Sequence, residues 1–274
     1  MTDDVALADT ATTAHPPKPG DTYVQSFARG LAVIRSFSAE APTQSLSEVA
    51  ARTGLTRAGA RRILLTLEGL GYVESQGRQF RLTPKILDLG FAYLSSLPLW
   101  NLAEPVMEAL VAEVKESCSA AVLDAADVVY VLRVPTHKIM SINLGIGSRL
   151  PAYCTSMGRV LLAGLPPQEL RQRLQARPLT AYTSRTVTDT AALEGLIEQT
   201  RQQGWCLVNQ ELEEGLVSLA APIRDRAGRT IAALNISGQY NRTSPAHMLE
   251  HFLPRLCEAA DRISQLLGTK SASA

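Results

Sequence analysis

The side chains with the most evident chemistry are arginines. Arg57, Arg61 and Arg62 follow Thr56 within one short stretch, with Ala58, Gly59 and Ala60 between them. Arginine's planar fork matches the paired acceptors of guanine in the major groove and equally suits phosphate. On a helix, positions four apart share a face, so Arg57 and Arg61 would point the same way. The small intervening residues would let backbone and guanidinium groups approach a duplex closely. A second pair, Arg78 and Arg81, follows Gly77. The chemistry implied is sequence reading by the first set and phosphate contact by the second. On an isolated helical hairpin the same charges would amount only to a solvated surface.

Catalytic and metal constellations do not form. Gly145 and Gly147 make a lone G-x-G, and Leu150 stands where a dinucleotide fingerprint needs its third glycine. Thr155-Ser156-Met157-Gly158 lacks the first glycine of a nucleophile elbow. His247 and His251 are four apart without the glutamate of a zinc motif, and read as solvated. Cys118, Cys154, Cys206 and Cys257 are widely spaced and read as buried thiols rather than ligands or a disulfide framework. No enzyme activity, metal or cofactor is expected.

The arginines need a scaffold, and residues 45–72 supply it. Ser45 and Glu48 form the S-x-x-E capping box of a short helix. Leu46, Val49 and Ala50 give that helix one apolar face, and Gly54 ends it. Thr56 starts a second helix with Ile63, Leu64, Leu67 and Leu70 as its apolar stripe. Two helices about a short glycine-containing turn are a helix-turn-helix, whose second helix enters the major groove by its first turns. After Gly71 the chain alternates like two strands around Gly77. A helix-turn-helix followed by a basic hairpin is a winged helix-turn-helix. The expected DNA-binding set is Ser45, Thr56, Arg57, Ala58, Arg61, Arg62, Arg78 and Arg81. Residues 27–37 predict a preceding helix with Phe27, Leu31, Ile34 and Phe37 inward.

Charge supports this reading. The 274-residue chain has a formal net charge of only +1, yet residues 51–85 hold seven cationic side chains against two carboxylates. Global neutrality thus hides a local basic module, as a DNA contact requires. A hydrophobic content of 46% can fill more than one core, and the length points to two domains. Residues 1–20 read as a disordered tail without a secretory pattern. No segment is long enough to span a membrane. A soluble, cytoplasmic protein is expected.

The predicted organisation is α+β. Residues 21–82 form the winged helix-turn-helix. Residues 83–98 form a linker helix, opened by Thr83 and Pro84, with Ile86, Leu87, Gly90 and Leu94 inward. Residues 99–268 form a mixed domain, and 269–274 a second tail. Within the mixed domain, helices are predicted at 102–116, 156–165, 166–175, 188–203 (Leu193, Leu196 and Ile197 inward) and 244–267. Strands are predicted at 119–124, 128–134, 138–144, 205–208, 216–224 and 230–237, forming an antiparallel sheet.

Three ordered blocks carry a resemblance. The basic helix-turn-helix comes first. Next is the run Gly147, Arg149-Leu150-Pro151-Ala152-Tyr153 and Met157-Gly158-Arg159-Val160-Leu161-Leu162-Ala163. The third is Glu211 to Ile223 followed by Ala232-Ala233-Leu234-Asn235-Ile236-Ser237. With these, residues 25–267 resemble the IclR family of bacterial transcriptional regulators. Thr56-Arg57-Ala58, Ala60-Arg61-Arg62 and Ile139-Met140-Ser141-Ile142-Asn143-Leu144 look most like regulators of β-ketoadipate-pathway genes, which respond to protocatechuate, 4-hydroxybenzoate or β-ketoadipate. Gly59 departs from a common alanine, at about 1 kcal/mol of helix stability. The resemblance implies a GAF-like α/β effector-binding domain, a homodimer or dimer of dimers, and a double-stranded DNA operator, with RNA polymerase as a candidate partner. Leu31, Val33, Phe91 and Tyr93 are candidate dimer contacts.

The expected effector, an aromatic or dicarboxylic acid, needs polar groups on an apolar face and a cation. Asn235 and Ser237 share one face of the last strand, and Ser218 matches a family pocket position. Arg133 interrupts a strand that is apolar on both faces, so it must meet a ligand or a protein carboxylate such as Asp124 or Asp127. Arg149 is expected to close over the pocket. The candidate effector set is Arg133, Gly147, Arg149, Ala152, Met157, Ser218, Asn235 and Ser237. The alternatives are a non-aromatic metabolite, or a second domain that only dimerises.

Overall fold

A computed structural model describes residues 23–95, 99–136 and 144–269. The expected tail of 1–20, Pro98, the strand at 138–144 apart from its last residue, and the tail beyond Thr269 lie outside the described residues. The chain divides after Tyr93 into two compact units.

The first unit holds α1 (Gln25–Arg35), β1 (Thr43–Ser45), α2 (Leu46–Thr53), α3 (Arg57–Gly69), β2 (Val73–Gln76), β3 (Gln79–Leu82) and most of α4 (Leu87–Ser95). The capping box of α2 is complete. Ser45 Oγ accepts the Glu48 amide, and Glu48 accepts the Ser45 amide at 2.7 Å. Gly54 terminates α2 with φ of 66°, a left-handed conformation that glycine adopts freely. Thr56 Oγ1 caps α3 by accepting the Gly59 amide at 3.1 Å. Val33, Val49, Ala50, Ala60, Leu64, Leu67 and Val73 form the core.

Several expectations are corrected here. Ala60, placed beside the arginines on the exposed face, is fully buried, whereas Leu70 is 53% exposed. In α1, Phe27 and Leu31 point outward and Val33 is the buried residue, because α2 and α3 cover only Val33's side. Val33 is therefore no dimer contact. Thr83 does not cap the linker helix. Its hydroxyl donates to the Gly71 carbonyl at 2.5 Å, closing the base of the hairpin. A single 3₁₀ turn, Pro84–Ile86, precedes α4, in which Leu87 is exposed rather than inward. β1 was not expected. It pairs antiparallel with β3, Thr43 opposite Arg81, and three residues are too few for a periodicity to show.

The second unit is built on a six-stranded sheet in the order β6-β5-β4-β9-β8-β7, antiparallel at every pairing. Its strands are β4 (Ser117–Asp124), β5 (Asp127–Val134), β6 (Arg149–Pro151), β7 (Cys206–Asn209), β8 (Leu216–Arg224) and β9 (Thr230–Gln239). Alternation along each strand sorts residues onto two faces. Ala120, Leu219, Leu234 and Ile236 meet α5 (Leu99–Val114) and α10 (Leu253–Thr269). Ala121, Tyr130, Ala220 and Ala233 meet α6 (Ser156–Ala163), α7 (Pro167–Gln175) and α8 (Thr190–Gln203). The C-terminal helix starts as α9 (Pro245–His247) and passes through a π-helical turn, Met248–Phe252, into α10. In α8, Thr200 takes the third inward place and Leu196 is half-buried. β6, which is not among the strands predicted from sequence, pairs with the start of β5 at Asp127 opposite Pro151. A Cβ on Gly158 would lie 2.0 Å from the Ala152 carbonyl oxygen. Glycine there is what lets α6 pack on the turn before it. No described helix is long and apolar enough to cross a membrane.

Candidate functional site

The first unit presents a basic face. Thr56, Arg57, Ala58, Arg61 and Arg62 are all exposed on the opening turns of α3, and Ser45 is half-exposed at the cap of α2. Arg78 is exposed at the tip of the hairpin, beside Gly77 with its φ of 65°. Arg81 differs, since it pairs across the hairpin with Glu74 at 2.5 Å. Lys85 donates to the Leu70 carbonyl at 2.8 Å and lies 5.2 Å over the Tyr72 ring. Ser75 donates to Glu68, tying the wing to α3. A rigid helix-and-hairpin surface thus offers Arg57, Arg61, Arg62 and Arg78 to a partner.

The second unit contains a partly open cavity between the sheet and α6. Leu144, Leu150, Val208, Leu212, Leu216 and Met157 form its apolar walls. Polar groups converge at one end. Ser218 Oγ and Ser156 Oγ are 2.6 Å apart, and Asn235 Nδ2 donates to Ser218 at 3.1 Å. Asn235 is held in that orientation because its Oδ1 accepts the Ser119 amide at 3.1 Å. Ser237 and Ser218 are cross-strand partners, and both line the cavity. Thr155 caps α6, so the positive end of that helix opens on the same region.

Of the residues singled out in the sequence, Met157, Ser218, Asn235 and Ser237 meet at this cavity. The others lie elsewhere. Arg149 does not close over the pocket. It is exposed and bound to Asp124 at 2.7 Å and Asp127 at 3.4 Å. Gly147 sits in an exposed turn with φ of 86°, its amide donating to the Tyr130 carbonyl at 2.7 Å. Ala152 is buried behind α6 and lines a smaller recess. Arg133 is half-buried and donates to Ser119 Oγ at 3.3 Å, outside the cavity lining. Asp127, a suggested partner for Arg133, is instead shared by Arg149 and Arg177.

Sequence reasoning missed Ser156, Tyr130 and the Arg159–Glu211 pair. Arg159 is 2% exposed and donates twice to Glu211, at 2.7 and 2.6 Å, and once to the Tyr153 carbonyl at 2.9 Å. Glu211 lines the cavity, and this bidentate pairing neutralises its charge. An arginine inside the apolar pattern of α6 was the available signal. Burial pushes the Cys154 thiol up to about 12, so this cavity-lining group stays protonated. Cys118 and Cys206 are also buried. Among the described residues, no group of three metal-ligating side chains assembles.

A winged helix with an unpaired basic face, followed by a cavity-bearing antiparallel sheet domain, defines a DNA-binding transcriptional regulator. The chain belongs to the IclR family. Residues 26–77 match the IclR helix-turn-helix domain and residues 91–265 the bacterial transcriptional regulator IclR C-terminal domain. It is 44% identical over 248 residues to the Pca regulon regulatory protein of Pseudomonas putida, covering 90% of this chain and 85% of that one. A candidate transcriptional regulator of known structure from Rhodococcus sp. RHA1 is 51% identical, with a TM-score of 0.81, over 89% of this chain and 98% of that one. An IclR homologue from Microbacterium hydrocarbonoxydans, solved with 4-hydroxybenzoate, is 27% identical with a TM-score of 0.78, over 88% and 98% of the respective chains.

Proposed function

We propose that this regulator binds an operator through α3 and the wing, and that a small aromatic acid in the second unit's cavity controls it. The observation that carries the reading is the cavity's chemistry, with Ser156, Ser218 and Asn235 converging at one end of largely apolar walls and the Glu211 carboxylate neutralised by Arg159. An acid group at the polar end would meet the Ser156 and Ser218 hydroxyls, the Asn235 amide and the positive end of α6. Arg133 adds a positive charge from behind, through Ser119. The apolar walls suit a ring. The relative solved with 4-hydroxybenzoate supports the same ligand class, as does similarity to a Pca regulon regulator. The effector on this reading is protocatechuate or 4-hydroxybenzoate, and the aliphatic dicarboxylic acid β-ketoadipate is the alternative within the same pathway. The protein acts in the cytoplasm as a homodimer or dimer of dimers, without catalysis of its own, and its operator occupancy is communicated to RNA polymerase. A domain serving only for dimerisation would leave the convergence of these polar groups on an open cavity without a reason.

Thermal unfolding of the full chain tests this against a panel of aromatic acids and their breakdown products. A ligand at a hundred times its Kd stabilises the native state by about 2.7 kcal/mol. One or a few members of the panel should raise Tm in a saturable way. A flat response to the whole panel would favour the dimerisation-only alternative.

A further inference from the structure

Tyr130 is a cavity-lining residue of β5 that is 5% exposed, far from the polar end in the sheet. Its backbone is fully used: the amide donates to the Ser148 carbonyl at 2.9 Å and the carbonyl accepts the Gly147 amide. Its hydroxyl meets no hydrogen-bond partner among the described residues. It is not sealed either, since the one fully enclosed orphan side-chain atom among them is Gln44 Oε1. The Tyr130 hydroxyl is therefore neither paired nor fully enclosed, and the residue that carries it lines the cavity. A buried hydroxyl without a partner is unfavourable, and such groups are satisfied by solvent or by a ligand.

The sheet register gives the distance. Tyr130 lies opposite Ala121 and Ala121 opposite Ala233, two residues from Asn235. Two strand spacings and two residues separate the backbones of Tyr130 and Asn235 by roughly 12 Å. Both side chains rise from the same face of the sheet, and a six-membered ring with a polar group at each end, hydrogen-bonded at both, bridges that span. We infer that Tyr130 is a specificity-determining residue, donating its hydroxyl proton to a second oxygen on the effector, at the end of the ring remote from the acid group. The inference rests on the aromatic-acid reading and deepens it: the preferred effector is a ring acid with a hydroxyl opposite its carboxylate. Burial pushes the phenol up to about 12, with the nearby Arg133 charge opposing, so the group remains a donor at neutral pH.

Titration calorimetry on the full chain, parent and Tyr130→Phe, with benzoate and 4-hydroxybenzoate tests this. The parent should bind 4-hydroxybenzoate about tenfold more tightly than benzoate, the range expected for one buried hydrogen bond. Tyr130→Phe should lose that preference by weakening 4-hydroxybenzoate alone. Equal losses for both acids, or unchanged affinity for 4-hydroxybenzoate, would overturn the assignment while leaving the effector reading standing. Failure of the parent to bind either acid would overturn this inference, and the aromatic-acid reading would then stand or fall on the wider panel. Without ligand, Tyr130→Phe should melt within a degree or two of the parent. A large drop would mean the hydroxyl is used within the fold, which also overturns the assignment.

Discussion

Arg149 and Arg159 stand ten positions apart and show how surroundings decide what a charge does. Arg149, on the edge strand β6, meets Asp124 and Asp127 in solvent. Exposed pairs of this kind contribute at most about 1 kcal/mol. Arg159 is buried against Glu211 with both carboxylate oxygens engaged. Glu211 also accepts the Val187 amide at 3.2 Å, and its carbonyl accepts the Thr186 hydroxyl at 2.6 Å. The pair thus holds the loop before α8 to the cavity wall. Removing one partner strands a buried charge, so Glu211→Ala should lower unfolding free energy by about 3–5 kcal/mol. Urea denaturation reads this directly. A loss under about 1 kcal/mol would show that solvent reaches Arg159. Arg159→Met combined with Glu211→Leu should recover much of the deficit, since no charge is then left alone.

At the scale of elements, the proposed DNA contact is divided between α3 and the wing. The helix offers Arg57 and Arg61 at its first turns, where base edges are reached. The hairpin offers Arg78, while Arg81 is already occupied by Glu74. Arg57→Ala or Arg61→Ala should cost about 1–3 kcal/mol of operator affinity and relax preference at one base pair. Arg78→Ala should weaken every sequence alike and reduce the salt slope of binding by about one counterion. Arg81→Ala should do less than Arg78→Ala, because its pairing with Glu74 competes with phosphate. Fluorescence anisotropy on operator and scrambled duplexes, across a salt series, separates these outcomes. Equal effects of Arg57→Ala and Arg78→Ala on specificity would contradict the division.

For the molecule as a whole, the exposed apolar residues of the first unit call for a partner. Phe27 is 68%, Leu87 70% and Phe91 69% exposed, on α1 and α4. Isolated surface hydrophobes need no explanation, but several large ones on two helices are what the proposed dimer would cover. A second copy is the occupant that also doubles the DNA site, since one winged helix reads too few base pairs to be selective. Sedimentation of the full chain should give a dimer or larger assembly. Phe27→Glu with Phe91→Glu should shift it toward monomer and weaken operator binding, while the effector's stabilising of the chain persists. A chain that is monomeric at all concentrations and still binds the operator would contradict this.

The order of elements was readable from the chain because it rests on local causes. The capping box at Ser45 and Glu48, the left-handed Gly54, the turn at Gly77 and the alternation of β9 each act within a few residues. The two faces of β9 were assigned correctly for the same reason, since side chains alternate whatever the strand pairs with. Contacts between distant parts were decided only by the tertiary structure. Which face of α1 is buried depends on where α2 and α3 lie, so Val33 displaced Phe27 and Leu31. Which carboxylate meets which arginine depends on strand register, so Asp127 went to Arg149 and Arg177 rather than to Arg133. Ser156, Ser218 and Asn235 come from three elements, with 62 positions separating the two serines that touch. Nothing periodic in a sequence encodes such an encounter, because it is set by how α6 packs on the sheet, through the close approach that Gly158 permits.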